Sequence, residues 1–281
     1  MESHIAFSLA TIGHPQRLAI FRLLMRRFPD RVPAGEIAQA LDLKPSTLSS
    51  YLSGLMQAGL IHQEREGTSL RYAIAMTEVR RTFDYLLLEC CRGRPEVCPP
   101  VSLPQITGTT PMSDPRYKVL FICTGNSARS ILAESILRKE AGDQFEAYSA
   151  GTKPRSKLNP FALEVLDQKR HDISVLRAKS VAEFQGEDAP RFDFVFTVCD
   201  RAANEDCPSW PGQPICAHWG VPDPVKADGT DGQKSLAFQQ AYGALANRIR
   251  AFTALPISSL DRISLQRAVD DLARSGAGEL A

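Results

Sequence analysis

The apolar positions between residues 14 and 60 recur at helical intervals, and the recurrence breaks at prolines and short polar turns. In HPQRLAIFRLLMRRF, Leu18, Phe21, Leu24 and Met25 share one face, and Pro29 ends the run. A short helix is expected over 33–41, with Ile37, Ala38 and Leu41 inward. After a tight LDLKP turn, PSTLSSYLSGLMQAGL sets Leu48, Leu52, Leu55 and Met56 on one face. The pattern then changes: IHQEREGTSLRYAIA alternates around Gly67 with the period of a β-hairpin. Helical spacing returns from Thr77 to Cys91, with Val79, Phe83, Leu86 and Leu87 along a seam suited to a dimer.

The next stretch has no period. Pro99, Pro100, Pro104, Pro111 and Pro115 with Gly108 make 97–115 an extended linker, because proline removes backbone donors and biases its neighbours away from helix. The linker divides the chain into a first domain over 1–96 and a second over 116–255. In the second, YKVLFIC is a continuous apolar run suited to a buried parallel strand. TGNSARS follows as a loop, and SILAESILRKEAG as a helix with Ile131, Leu132, Ile136 and Leu137 inward. Residues 256–281 form a tail in which Leu265, Val269 and Leu272 again keep helical spacing; it can pack on either domain, and the sequence assigns it no role. The expected fold is a two-domain α/β chain, helix-turn-helix with a wing first and parallel sheet second.

Composition narrows the possibilities. A chain of 281 residues supports two cores of ordinary size. No apolar run approaches the ~18 residues of a membrane span, and the N-terminus has no basic-then-apolar leader, so the cytoplasm is the expected address and no membrane partner is expected. In that compartment the seven cysteines are more suited to metal binding or redox work than to structural disulfides. Net charge is +1, so any contact with nucleic acid must come from a local motif rather than bulk basicity.

Such a motif is present. The order helix, helix-turn-helix, hairpin wing, helix, carried by HPQRLAIFRLL, EIAQALDL and STLSSYLSGLMQAGLI, resembles the ArsR-type winged-helix repressors over most of residues 1–98. The resemblance implies a homodimer formed through this domain, operator DNA as partner, and release of DNA when a metal or metalloid binds. Ser46, Thr47, Ser49, Ser50 and Tyr51 lie on the outer face of the expected recognition helix, where short hydroxyls can reach base edges or phosphates. The plainer role for Ser46 or Thr47 is a helix cap. Arg65 and Arg71 of the wing are candidates for phosphate contacts. The stretch ECCRGRPEVC offers Cys90, Cys91 and Cys98, three thiolates that can converge on one trivalent arsenic, a soft centre that prefers sulfur. Cadmium, zinc or antimony can use the same thiols. Otherwise the adjacent pair are small buried hydrophobes.

The loop after YKVLFIC carries the second chemistry. A strand, a loop of small residues and a helix aim successive backbone N–H groups at one point, at the positive end of the helix dipole. Thr124, Gly125, Asn126, Ser127, Ala128, Arg129 and Ser130 form this candidate oxyanion nest, and Cys123 and Arg129 bracket it at Cys-x5-Arg spacing. The thiol is expected to lie under the anion with its pKa lowered by the amides and the guanidinium, Arg129 to clamp two oxygens, and Ser130 to bond the thiolate. These features, with Asp223-Pro224 in HWGVPDP, resemble the low-molecular-weight tyrosine phosphatases and the arsenate reductases built on that fold, over about residues 116–255. The resemblance makes Asp223 a general acid; alone, Asp-Pro is a turn.

Arsenate and phosphate are nearly isosteric, so what separates the two chemistries is a resolving thiol. VCDRAANEDCP supplies Cys199 and Cys207, and it resembles the cysteine pair of thioredoxin-coupled arsenate reductases, one residue wider. Ala128 stands where many relatives have cysteine. The reading favours Cys199 as first attacker and Cys207 as its partner. Cys216 is expected in the core, and His218 and Trp219 to orient the acid loop. The resemblance implies no bound cofactor, an external dithiol reductant (thioredoxin, or glutathione with glutaredoxin) and arsenite as effector. The whole reads as an arsenite-responsive repressor joined to a thiol-dependent arsenate reductase. Two alternatives stay open: a regulator joined to a tyrosine phosphatase, and an oxyanion-binding regulator without turnover.

Overall fold

The computed structural model describes residues 2–91, 116–186, 188–205 and 210–275, and its contacts divide the chain into two compact units, Met1–Gln105 and Ile106–Ala281. The linker expected over 97–115 lies outside the described residues, as do Cys98 and Cys207.

The first unit begins with a helix the periodicity did not announce, α1 (Glu2–Ile12). Helix α2 (Pro15–Arg26) starts where His14 caps the Gln16 amide and Pro15 takes a position that needs no donor. Its core face is Ile20, Phe21, Leu23 and Leu24; Leu18 and Met25, expected inward, lie on the outer side, because the buried stripe is turned by the packing of α1. Strand β1 (Val32–Pro33) leads into α3 (Ala34–Ala40), which buries Ile37 fully and leaves Ala38 and Leu41 half-buried. Helix α4 (Pro45–Gln57) buries Leu48, Leu52 and Leu55, as its spacing predicts. The hairpin β2 (Ile61–Glu66) and β3 (Ser69–Ile74) turns at Gly67, whose φ of +60° suits a residue without Cβ. Strand β1 pairs with β3 as the third strand of this small sheet. Helix α5 (Met76–Tyr85) continues into a π-helical turn over Leu86–Cys90.

The second unit is built on four parallel strands in the order β5-β4-β6-β7: β4 (Tyr117–Cys123), β5 (Phe145–Gly151), β6 (Phe194–Thr197) and β7 (Ile215–His218). Val119 through Cys123 are all buried, which is why β4 reads as an unbroken apolar run. Helix α6 (Arg129–Ala141) is buried nearly all round, including Ser130, Glu134 and Ser135. Helices α7 (Pro160–Gln168), α8 (Asp200–Asn204), α9 (Asp231–Thr253) and α10 (Arg262–Ser275) complete the unit. Helix α9 starts with a capping box between Thr230 and Gln233. The segment set apart as a tail supplies α10, whose Leu265, Val269 and Ala273 join the same core as the sheet.

Strand order positions the site. The chain leaves β4 toward β5 on one side and returns as β6 on the other, so the loops after β4 and β6 diverge at the carboxyl ends of neighbouring strands. Open parallel sheets form their crevice at such a switch point.

Candidate active site

The loop after β4 is held from inside by one amide side chain. Asn126 is fully buried and has φ +40°, a left-handed conformation that asparagine tolerates better than most residues. Its backbone N–H donates to Cys123 Sγ at 3.2 Å. Its Nδ2 donates to Ser130 Oγ at 2.9 Å and Ser149 Oγ at 2.8 Å, and its Oδ1 accepts the Lys179 backbone N–H at 2.6 Å. Gly151, in register with Cys123 on β5, leaves room for this arrangement. A Cβ there would sit 2.8 Å from the Thr124 carbonyl oxygen and 3.0 Å from the Asn126 nitrogen. Ala128 precedes α6 without a side-chain cap, so the first-turn amides of the helix remain free of a competing side-chain acceptor.

Cys123 is buried, with Sγ 2.9 Å from Ser130 Oγ, as expected for that serine. The expected lowering of its pKa is overturned. Burial pushes the thiol up from its ordinary value and a charge on Cys199 adds to this; the Ser130 hydrogen bonds and Arg129 pull the other way without prevailing. The geometry explains why the guanidinium does so little. Arg129 Nη2 lies 2.9 Å from the Asp223 carboxylate, which offsets its charge, and Nη1 donates to the Val221 carbonyl at 3.0 Å. Asp223 also accepts the Val225 N–H at 3.3 Å as cap of the turn Pro224–Lys226. The turn and the acid position therefore coincide in one residue, which the arginine draws to the rim of the loop.

Cys199, the expected first attacker, lies just past the end of the neighbouring strand β6. Val198 N–H donates to the Ile122 carbonyl at 2.8 Å, aligning the two strands, and Cys199 follows, buried, as cap of α8 through an Ala202 N–H···Sγ contact of 3.4 Å. Thr124 Oγ1 stands 3.5 Å from Cys199 Sγ and so touches both the nest and the second thiol. Cys216, expected in the core, is exposed: β7 is an edge strand, and this position faces outward from it. His218 and Trp219, expected to orient the acid loop, directly precede it, His218 being the last residue of β7. His218 reaches Thr197 and Asp200, and Trp219 stacks on Phe196 with ring centroids 3.9 Å apart. The loop itself is held by Arg248, which donates to the Gly220 carbonyl at 2.9 Å, and by Arg129.

Sequence reasoning missed the support under the nest. Glu134 is buried on α6, where Oε2 accepts from Ser149 Oγ at 2.5 Å and Lys179 Nζ at 2.8 Å, and Oε1 from Arg138 Nη2 at 2.5 Å. Ser149 and Lys179 both bond Asn126 directly, so this charged cluster fixes the loop from behind. A signal existed for Glu134, a carboxylate amid apolar positions of a helix that must follow a buried strand. Ser149 and Lys179 carry no local signal, because only the tertiary fold brings them there.

In the first unit, Ser46, Ser49 and Ser50 are exposed on α4, while Thr47 and Tyr51 are half-buried. Neither Ser46 nor Thr47 caps the helix: Lys44 occupies that position without a side-chain bond. Tyr51 packs its ring against His14, with centroids 5.0 Å apart. Arg65 is exposed on the hairpin, and Arg71 is engaged by Glu66 at 2.6 Å and by the Arg31 carbonyl at 3.4 Å. Cys90 is exposed and Cys91 half-buried at the end of the π-helical turn; they do not pack as buried hydrophobes. Phe7 of α1 and Phe83, Leu87 and Leu88 after it in the chain are exposed apolar side chains on neighbouring elements. Among the described residues no helix is long and apolar enough to cross a membrane.

Comparison with known proteins covers both units. The profile of the family "Low molecular weight phosphotyrosine protein phosphatase" matches residues 118–264, and that of "Bacterial regulatory protein, arsR family" matches 14–63. The arsenate reductase of Halalkalibacterium halodurans is 36% identical over 134 residues, 48% of this chain and 93% of that protein. That of Bacillus subtilis is 34% identical over the same share of each. Among solved structures, the thioredoxin-dependent arsenate reductase of Corynebacterium glutamicum aligns at 28% identity over 48% of this chain and 58% of its own, TM-score 0.36. The homodimeric winged helix-turn-helix DNA-binding domain from Mycobacterium bovis aligns at 26% identity over 34% of this chain and 84% of its own, TM-score 0.27. The match over the buried thiol, its nest and the acid turn means that the chain belongs to the low molecular weight phosphotyrosine protein phosphatase family, with an arsR-family helix-turn-helix domain at its N-terminus.

Proposed function

We propose that the second unit reduces arsenate to arsenite through thiols and that the first is a DNA-binding regulator released by the product. The observation that carries the reductase reading is the placement of a second buried thiol, Cys199, beside the nest of Cys123, with Thr124 between them. A phosphatase needs only the first thiol and water. The relatives named arsenate reductase, covered over 93% of their length, support the same choice.

In this reading arsenate enters the nest of Thr124 to Ser130 and Arg129 turns from Asp223 to clamp its oxygens. The negative charge of the anion opposes a free thiolate beside it, so the Cys123 proton passes to an oxygen of the bound arsenate as the sulfur attacks. Cys123 Sγ bonds arsenic, and Asp223 protonates the departing oxygen, which leaves as water. Cys199, as thiolate, then attacks the Cys123 sulfur. The S–S bond forms, the S–As electron pair stays on arsenic, and arsenite departs: arsenic gains two electrons and two thiols become one disulfide. Cys207 attacks Cys199 in turn, releases Cys123, and leaves a Cys199–Cys207 disulfide for an external dithiol, thioredoxin or glutathione with glutaredoxin. No bound cofactor is required.

For the first unit, the exposed hydroxyls of Ser46, Ser49 and Ser50, with Thr47 and Tyr51 beside them, meet base edges or phosphates. Arg65 contacts the backbone, and Arg71 joins it only by leaving Glu66. The exposed apolar side chains of α1 and the α5 segment form the homodimer seam. Cys90, Cys91 and Cys98 take arsenite as three sulfur ligands. Joining enzyme and sensor in one chain raises the local product concentration at the sensor.

The test is arsenate-dependent NADPH oxidation with thioredoxin and thioredoxin reductase, repeated with glutathione and glutaredoxin. Turnover in the wild type and a fall of at least about 10³-fold in Cys123→Ser are expected. Rapid aryl-phosphate hydrolysis without arsenate turnover, unaffected by Cys199→Ser, would instead identify a phosphatase.

A further inference from the structure

Of the five histidines, His218 is the nearest in the chain to the second thiol. It ends β7, and its side chain is wholly buried. Its Nδ1 lies 2.8 Å from Thr197 Oγ1, and its Nε2 lies 3.2 Å from Asp200 Oδ1. Thr197 is the last residue of β6, two before Cys199, and Asp200 is the first residue of α8, immediately after it. One imidazole therefore grips the chain on both sides of the thiol. In a neutral ring one nitrogen donates and the other accepts. The carboxylate can only accept, so the proton sits on Nε2, facing Asp200, and Nδ1 accepts the Thr197 hydroxyl.

The surroundings are built for this contact. A Cβ on Gly220 would stand 2.8 Å from His218 Nε2 and 3.0 Å from Asp200 Oδ1, between the two partners. Trp219 N–H donates to the Thr197 carbonyl at 2.7 Å, and Val221 N–H reaches the Val198 carbonyl at 3.4 Å, so the 218–221 segment runs against the residues that carry the thiol. Among the described residues Cys199 itself makes only weak bonds: its Sγ takes a 3.4 Å contact from Ala202 N–H and stands 3.5 Å from the Thr124 hydroxyl. Its own contacts do little to fix its direction, and the histidine bridge does more.

We infer that His218, through Thr197 and Asp200, is a positioning residue that aims Cys199 at Cys123. The inference deepens the reductase reading and rests on it for the chemistry. A resolving thiol has to approach the Cys123 sulfur along the S–As axis, and an error of about 1 Å in such an alignment costs on the order of 10²-fold. The bridge supplies that alignment in the reduced enzyme. The bonds from His218 run to the residues that flank Cys199, so the resolving step is where the effect is expected.

The experiment uses the full chain and two variants, Asp200→Asn and His218→Gln. Asp200 has a half-exposed side chain, so its variant is the one expected to fold without loss. Single-turnover arsenite release, measured with excess arsenate, is expected to fall about 10–100-fold in each. Arsenate protection of Cys123 from alkylation and the slow hydrolysis of p-nitrophenyl phosphate are expected to stay within about twofold. A second readout does not depend on arsenate turnover: iodoacetamide labelling of Cys199, followed by mass spectrometry, should quicken about tenfold as the thiol loses its fixed direction, with Cys123 labelling unchanged. Equal arsenite release and equal Cys199 labelling in wild type and Asp200→Asn would overturn the inference. So would a parallel fall in p-nitrophenyl phosphate hydrolysis, which would mark a general loss of structure. If the wild type releases no arsenite, the reductase reading fails, while the Cys199 labelling still decides the positioning claim.

Discussion

The thiols of the two units stand in opposite surroundings. Cys123 and Cys199 are buried at adjacent strand ends, each with hydrogen-bonding neighbours, and the loop around Cys123 is fixed by Asn126 from within and by Glu134 and Lys179 from behind. Cys90 is exposed and Cys91 half-buried, at a helix end wound into a π turn. The contrast follows from the tasks proposed for them. A nucleophile gains from being held in one geometry before its substrate arrives. Ligands that close around a soft ion gain from freedom, because the ion itself supplies the geometry.

The comparison can be broken most forcefully behind the nest. Glu134 and Lys179 form a buried pair at 2.8 Å, with exposures of 3% and 8%. Removing one partner of such a pair leaves an uncompensated charge, at a cost of about 3–5 kcal/mol. Lys179→Met is expected to lower the stability of the second unit by that amount and to abolish arsenate turnover. Operator binding by the first unit should be unchanged, since that unit has its own core. Denaturant unfolding followed by the fluorescence of Trp210 and Trp219 reads the first effect, and a DNA mobility shift the second. Loss of DNA binding in the variant would show that the two units do not fold independently.

A smaller effect sharpens the contrast directly. Under limiting iodoacetamide Cys90 should be alkylated first and Cys123 last, with rates apart by about 10²-fold, because the thiolate is the reactive form and burial disfavours it at Cys123. Since that burial raises the Cys123 pKa, its labelling rate should still be climbing above the pH at which an ordinary thiol has levelled off. Mass spectrometry of labelled peptides against time and pH measures both. Faster labelling of Cys123 than of Cys90 at neutral pH would contradict the burial argument.

How much of this was legible depends on how local each signal is. Cys-x5-Arg after an unbroken apolar run announced the strand, the loop and the buried thiol, because all three are set by neighbours in sequence. The hairpin was legible at Gly67 for the same reason. Helix α1 was not, since Glu2–Ile12 has apolar positions but little segregation of them. Cys216 misled because a cysteine among apolar residues usually faces inward, and an edge strand has one face that need not. The Cys123 pKa moves opposite to the expectation because burial outweighs Ser130 and Arg129, and how deeply the thiol is buried is set by the tertiary fold. Ser149 and Lys179 were beyond reach entirely, being joined to Asn126 only through the fold.

The last contrast lies in pH dependence, and it turns on the helix that the sequence left unassigned. Asp270 of α10 has its carboxyl pushed up to about 6, chiefly by burial and with a contribution from Asp271, against the hydrogen bond from Gln266 and the pull of Arg274. A carboxyl whose pKa is raised on folding costs stability as pH rises: the folded form holds its proton up to about 6, while the unfolded form has released it by about 4. The penalty therefore grows between about pH 4 and pH 6 and is complete above that. Two pKa units correspond to about 3 kcal/mol, and partial exposure of the side chain reduces this to about 1–2 kcal/mol. Asp270→Asn removes the charge and keeps the size and the Gln266 contact within reach. At pH 8 the variant should unfold at a higher temperature than the wild type in the transition of the second unit, and at pH 4 the advantage should vanish. The transition of the first unit should not move at either pH. An equal gain at both pH values would mean that the asparagine stabilises α10 for some reason other than the charge, and a shift in the first unit's transition would mean that α10 supports both cores.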